Sequence, residues 1–87
     1  MVWKIKFDAR AERELKKLDP QTSRRIIIFF HDRLAKLKNP RILGEALSGP
    51  KFGELWKYRI GDYRAIVSME DKILTILLLV IGHRREV

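Results

Sequence analysis

From Val2 to Phe7 apolar and charged positions alternate, with Trp3, Ile5 and Phe7 on one side and Lys4 and Lys6 on the other. A period of two predicts a strand with one buried face. Asp8 follows, and its short carboxylate suits a helix N-cap. Ala11, Leu15 and Leu18 then recur at helical spacing among Arg10, Glu12, Arg13, Glu14, Lys16 and Lys17. This predicts an amphipathic helix with a wet basic face, helped by the Glu12/Lys16 pair and stopping near Leu18. Asp19-Pro20 restarts the pattern, because Pro at the first helical position lacks an N–H where none is needed. The second helix is expected to run to about Lys38. Its stripe is Ile26, Ile27, Phe30, Leu34 and Leu37, widened by Ile28 and Phe29. The unbroken run Ile26 to Phe30 also fits a strand, but Leu34 and Leu37 continue the 3.6-residue period and favour helix. Asn39-Pro40 ends it.

Arg41 to Lys51, with Gly44, Gly49 and Pro50, is expected to be a connecting loop pinned to the body by Leu43 and Leu47. The stretch GELWKYRIGDYRAI, residues 53–66, reads as two strands around a two-residue turn, Gly61-Asp62. Such turns need positive φ, which Gly adopts freely and Asp tolerates. Counting outward from Ile60 facing Tyr63 sets Arg59 against Arg64, Tyr58 against Ala65, Lys57 against Ile66 and Trp56 against Val67. Trp56, Tyr58, Ile60, Tyr63, Ala65 and Val67 then share one face, and Lys57, Arg59 and Arg64 the other. Like charges directly across a ladder are destabilising, so this arrangement invites an anionic partner. A solvated sheet face explains the same residues on the hairpin alone. Glu70-Asp71 is a second tight turn, and Lys72 to Ile81 a third strand. Leu74, Ile76, Leu78 and Val80 fall on one face of it, with Ile73, Leu77, Leu79 and Ile81 on the other. A strand apolar on both faces belongs inside a sheet, and the first strand should add beside it through the helical crossover.

The expected fold is α+β, in the order β-α-α-β-β-β. A helical hairpin packs on one face of a mostly antiparallel four-stranded sheet. The helices cover the face of Trp56 and Tyr58. The other face carries Lys57, Arg59 and Arg64, with Arg84 and Arg85 just past the last strand. The 87 residues fit one domain, 1–87, with 46% hydrophobic residues to pack a core. The net charge of +8 favours an anionic partner, most simply nucleic acid, and tips the balance away from a merely wet face. No Cys is present, which excludes disulfides and cysteine-based zinc sites, and His31 and His83 are too few for a histidine metal cluster. Met1 to Phe7 lacks the apolar core of a signal peptide, and Ile73 to Ile81 is too short to span a bilayer. A soluble cytoplasmic protein without membrane contact is expected.

Taken together, the order of elements, the segment WKYRIGDYR and the terminal GHRREV resemble the RelE/ParE toxin superfamily of type II toxin–antitoxin systems, over essentially the whole chain. The match looks closer to the RelE branch. That resemblance implies a ribosome-dependent, metal-independent endoribonuclease (an mRNA interferase) that needs no cofactor. It implies a RelB-type antitoxin as partner, with a heterotetramer among the assemblies open to it, besides the ribosome and mRNA. It also implies site residues. The family's basic strand positions match Lys57 and Arg59, the Arg of its G-Y-R-like segment matches Arg64, and the Arg after the last strand matches Arg84, with Arg85 as a substitute. Many relatives close this motif with a Tyr that stacks on the target base. The sequence reaches Val87, where that Tyr would come next, so two readings stand open: a trimmed chain, or a toxin that works poorly without it.

The implied reaction uses the 2′-OH against the adjacent phosphate and needs a base, charge stabilisation and an acid. Lys57 is assigned as base or phosphate clamp, Arg59 and Arg64 as charge stabilisers, and Arg84 as acid or leaving-group stabiliser. His83 is an accessory proton-transfer candidate, against the plainer reading of a solvated residue near a strand end. Lys51, Lys57, Arg59, Arg64, Arg84 and Arg85 form the expected RNA-binding set. His31 reads as surface or packing, and Trp3 and Trp56 as core rather than base-stacking groups. The competing reading is a ParE-type toxin that inhibits DNA gyrase and cuts nothing. A third is a plain nucleic-acid-binding module.

Overall fold

The computed structural model describes residues 2–47 and 55–85. Strand β1 (Lys4–Phe7) leads to helix α1 (Ala9–Lys17), and Asp8 caps it by accepting the main-chain N–H of Arg10 at 3.2 Å. Asp19 caps α2 (Pro20–Ile28) through the N–H and hydroxyl of Thr22 at 3.1 and 2.6 Å. These hydrogen bonds hold the Asp19 carboxyl below its usual range. Both helix starts therefore lie where the sequence sets them.

The second helix does not continue as α to Lys38. From Phe29 to Leu34 it widens into a π-helical segment, closed by the Ala35 N–H donating to the Phe30 carbonyl at 2.9 Å. A four-residue repeat overshoots a 3.6-residue turn. Widening the turn keeps Ile26, Phe30 and Leu34 in line, and all three are fully buried. Ile27, expected in the apolar stripe, and Ile28, expected to widen it, stay exposed at 37% and 48%. Asn39 then caps a 3-10 turn (Pro40–Leu43), and β2 (Glu45–Ala46) follows where a loop was expected. Leu43 is exposed rather than pinned, whereas Leu47 is half-buried. Gly49, Pro50 and Lys51 lie outside the described residues, as does the Gly53-Glu54 start of the hairpin segment.

The hairpin of β3 (Leu55–Ile60) and β4 (Tyr63–Glu70) has the expected register, with Arg59 opposite Arg64 and Ile60 opposite Tyr63. Gly61 takes the positive φ of 59° that the turn demands. The next connection is longer than a tight Glu70-Asp71 turn. A 3-10 turn (Asp71–Ile73) and Leu74 at φ 45° intervene before β5 (Thr75–His83).

The sheet has five strands in the order β1-β5-β4-β3-β2, one more than expected; β1 runs parallel to β5 and the other neighbours are antiparallel. The ladder of β4 and β5 slips between Ile66 and Val67: Ile66 faces Val80 and Val67 faces Leu78. This bulge reverses the alternation beyond Leu78. Ile81 therefore joins Ile76 and Leu78 in the core, while Val80 is only half-buried, contrary to simple counting along the strand. The core lies between the helices and the sheet, with Tyr58 flanked by Phe29 and Phe30 at ring separations of 6.0 and 6.2 Å. Trp3 is buried in it and Trp56 packs at its margin. His31 is exposed and lies 6.1 Å from the Phe7 ring.

Candidate functional site

Alternation along β3 sends Lys57 and Arg59 to the same face, and Arg64 stands across from Arg59 on β4. These three cations line one open cavity of about 410 Å³. Leu43, Gly44 and Glu45 form its other wall. Arg59 is exposed, while Lys57 and Arg64 are half-buried. One guanidinium nitrogen of Arg64, Nη1, donates to the carbonyls of Gly61 and Tyr63 at 3.0 and 2.9 Å. Those bonds hold the group over the turn and leave its other N–H groups to face an acceptor. The Arg59/Arg64 opposition is unfavourable by itself, and Glu45, opposite Lys57 on β2, offsets part of that positive charge.

The wall facing the cations is fixed from behind. The Tyr58 hydroxyl donates to the Pro40 carbonyl at 2.8 Å inside the protein, and burial pushes its phenol well above the ordinary range. It therefore remains a donor at any working pH. A Cβ on Gly44 would come within 2.8 Å of Tyr58 Cζ, so this glycine is needed for close approach and not for an unusual φ. Arg41 braces the same turn, donating from Nη1 and Nη2 to the two carboxylate oxygens of Asp71 at 3.0 and 2.7 Å. Its guanidinium also lies 5.7 Å from the Trp56 ring centroid, within cation–π range. The paired guanidinium holds the Asp71 carboxyl below its usual range.

The remaining basic residues lie elsewhere. Arg84 is not in the cavity lining; its main-chain N–H donates to the Asp62 carbonyl at 2.7 Å, and its guanidinium is 3.8 Å from the Asp62 carboxylate. Arg85 is exposed beyond it, its N–H donating to His83 Nδ1 at 3.4 Å. His83 packs edge-on against Tyr63 at 5.6 Å and lines a separate depression with Glu14, Lys17 and Leu18 of the α1 region. It therefore occupies the helix-covered side of the sheet, across from Lys57, Arg59 and Arg64. Lys51 lies outside the described residues. The structure thus gathers three of the expected cations, sets Arg84 at the flanking turn and separates His83 from them.

Glu45 and Gly44 were not anticipated. A two-residue strand is too short to show a period, and Gly44 gains its meaning only from a ring fourteen positions later. Among the described residues no three His, Asp or Glu side chains converge to hold a metal ion. What the cavity offers is one ammonium and two planar guanidinium groups on a rigid ladder, a donor set suited to phosphate oxygens.

A family model described as the ParE toxin of the type II toxin–antitoxin system, parDE, matches residues 5–87. No curated protein matches the chain. Among solved structures, the archaeal RelE–RelB complex from Pyrococcus horikoshii is similar at 26% identity and a TM-score of 0.75, covering 100% of both chains. The RelBE2 toxin–antitoxin complex of Mycobacterium tuberculosis is similar at 24% identity and a TM-score of 0.85, covering 99% of this chain and 95% of that one. A mutant of the E. coli toxin RelE in the free state is similar at 22% identity and a TM-score of 0.74, covering 95% and 84%.

Proposed function

The chain belongs to the ParE toxin family of type II toxin–antitoxin systems, within the RelE/ParE superfamily, and we propose that it acts as a ribosome-dependent endoribonuclease on mRNA. The observation that carries this reading is the convergence of Lys57, Arg59 and Arg64 on one cavity. A toxin that only bound a protein target would not need to hold two opposed guanidinium groups and an ammonium around an open, polar space. In the proposed reaction the 2′-oxygen bonds to phosphorus while the bond to the 5′-oxygen breaks. The 2′ proton is removed and a proton is delivered to the leaving oxygen. The products are a 2′,3′-cyclic phosphate and a 5′-hydroxyl. Arg59 and Arg64 oppose the charge that builds on the phosphorane oxygens. Lys57 clamps the phosphate as an ammonium, or takes the 2′ proton from its neutral amine form, becoming an ammonium as it does so. Arg84, now beside Asp62, would swing toward the leaving oxygen to supply its proton or offset its charge, with Arg85 as its substitute, while His83, on the helix-covered side of the sheet, takes no part.

The partners in this reading are a RelB-type antitoxin, as in the complexes of the similar structures, and the ribosome with its message. A heterotetramer with the antitoxin is one assembly consistent with it, and the cytoplasm is where such targets lie. No helix among the described residues is long and apolar enough to cross a membrane. The test is cleavage of a message programmed on ribosomes by the purified chain and by Arg64→Ala. The reading expects cleavage that the substitution lowers about 10²-fold or more, and near-normal activity of Arg64→Ala would remove that residue from the mechanism. A second reading, inhibition of DNA gyrase, is favoured by the description of the matching family model. It expects a block of supercoiling with the message left intact.

A further inference from the structure

The helices cover one face of the sheet, where Tyr58, Ala65, Val67, Ile76 and Leu78 are buried. On the other face side chains stand in cross-strand rows, because directly paired residues point the same way. Lys57 pairs with Ile66, and Ile66 with Val80. One pleat away, Ser68 pairs with Leu77, and Leu77 with Lys6. Ile66, Leu77 and Val80 are each half-buried, and Lys6 is exposed on the edge strand β1. A diagonal thus runs from the cationic cavity over three aliphatic side chains to a lysine at the far edge. It spans about 14 Å across the strands and about 7 Å along them.

The acids on this face lie to either side of that diagonal. Glu45 faces Lys57 from β2 and lines the cavity there. Glu70 shares a row with Thr75 and Lys4, one pleat beyond Leu77 and Lys6. A polyanion seated in the cavity therefore meets a carboxylate toward β2 and another toward the Glu70 row. Over Ile66 and Val80 it meets none among the described residues, and at the end of that path it meets an ammonium. Aliphatic groups between cations suit a chain of flat, largely apolar rings joined by fixed negative charges, which is single-stranded nucleic acid. A lysine at the far end holds phosphate whatever the base sequence.

We propose that the open sheet face is a second RNA subsite: a single strand whose reacting phosphate lies in the cavity runs diagonally over Ile66, Val80 and Leu77, and Lys6 holds a phosphate a few nucleotides away. The proposal rests on the phosphate seat at Lys57, Arg59 and Arg64 put forward above, and it adds the direction in which the strand leaves that seat and the residue that anchors its far end. Lys6 takes no part in the chemistry; it sets how firmly the strand is held. Lys4 is equally exposed on the same face of β1, but its row ends in Glu70, which offsets its charge, so it contributes less.

The test uses a fluorescein-labelled, fully 2′-O-methylated RNA of about eight nucleotides. This probe lacks the 2′-hydroxyl nucleophile, so binding is read without cleavage. In anisotropy titrations at several salt concentrations, Lys6→Ala should reduce the slope of log K against log salt by about 0.7 and weaken binding about fivefold at 0.1 M salt. Lys4→Ala should do less, and Arg13→Ala, at an exposed position on α1, should change neither quantity. In amide NMR spectra of the isotope-labelled chain, the oligonucleotide should shift Ile66, Leu77 and Val80. An unmoved slope in Lys6→Ala, equal loss in Lys4→Ala or Arg13→Ala, or shifts confined to the cavity would overturn the proposal. So would hexaglutamate that moves the same three amides at lower concentration than the oligonucleotide. A chain that binds the probe through Lys6 but leaves message uncut would leave this proposal standing and bring down only the nuclease reading. A chain that cuts message while its RNA affinity ignores Lys6 would do the reverse.

Discussion

Arg64 is held by the backbone it emerges from: one of its nitrogens is bound by two turn carbonyls, and the rest of the fork faces a cavity. Lysine at that position keeps the charge, but its single nitrogen cannot be tied to the two turn carbonyls and also present a planar two-nitrogen fork to phosphate. Arg64→Lys should therefore lose most of the cleavage activity and Arg64→Ala about 10²-fold or more, as for removal of one preorganised donor. Both should unfold close to wild type, which thermal denaturation would check. Tyr58 acts at one remove. Tyr58→Phe leaves the buried Pro40 carbonyl without its donor, at a cost of about 1–3 kcal/mol. Gly44→Ala drives a methyl into the Tyr58 ring and should cost a similar amount, about 1–3 kcal/mol. Denaturant midpoints would measure both. The cationic residues were legible because a two-residue turn fixes the pairing by counting. Glu45 was not legible, because its place opposite Lys57 depends on a strand two residues long.

At the scale of elements, the turn that walls the cavity is tied down by Arg41 and Asp71, which join the segment before β2 to the connection before β5. The Asp71 carboxyl is depressed in the folded chain by its paired guanidinium. The stability it contributes is therefore complete above its unfolded value and is lost as pH falls through the lowered folded value. The stability difference between wild type and Asp71→Asn should be constant around neutral pH and should close as pH falls below the ordinary carboxylate range. Denaturation midpoints across that range would show it, and a difference that instead grew in acid would contradict the assignment. The ion pair is exposed on the Asp71 side, so the effect is small. Both helices were readable from their caps, Asp8 and Asp19-Pro20. The π-helical widening and the bulge at Ile66/Val67 were not, since each is a packing adjustment that a fixed period cannot express. The bulge is why Ile81 is core and Val80 is not.

For the whole molecule, the surplus of eight positive charges predicts RNA affinity that falls with salt. If Lys57, Arg59 and Arg64 each neutralise one phosphate, they contribute a slope of about −2 in log K against log salt on single strands. Arg59→Ala should reduce that slope by about 0.7. A slope unchanged by the substitution would mean that other cations, such as those on α1, carry the contact. Apart from β2, the strand order and the helix-covered face followed from the hydrophobic pattern and the turn positions. The grouping of cations followed in part: the hairpin assembled three, while the position of Arg84 beside Asp62 depends on how the chain turns after β5.

The decisive comparison pairs two assays on the same preparations, wild type and the Lys57→Ala/Arg59→Ala/Arg64→Ala triple variant. On ribosome-held message the account predicts cutting by wild type, with 2′,3′-cyclic phosphate ends, none by the folded triple variant, and gyrase supercoiling untouched by either. An intact message alongside blocked supercoiling with wild type would contradict it.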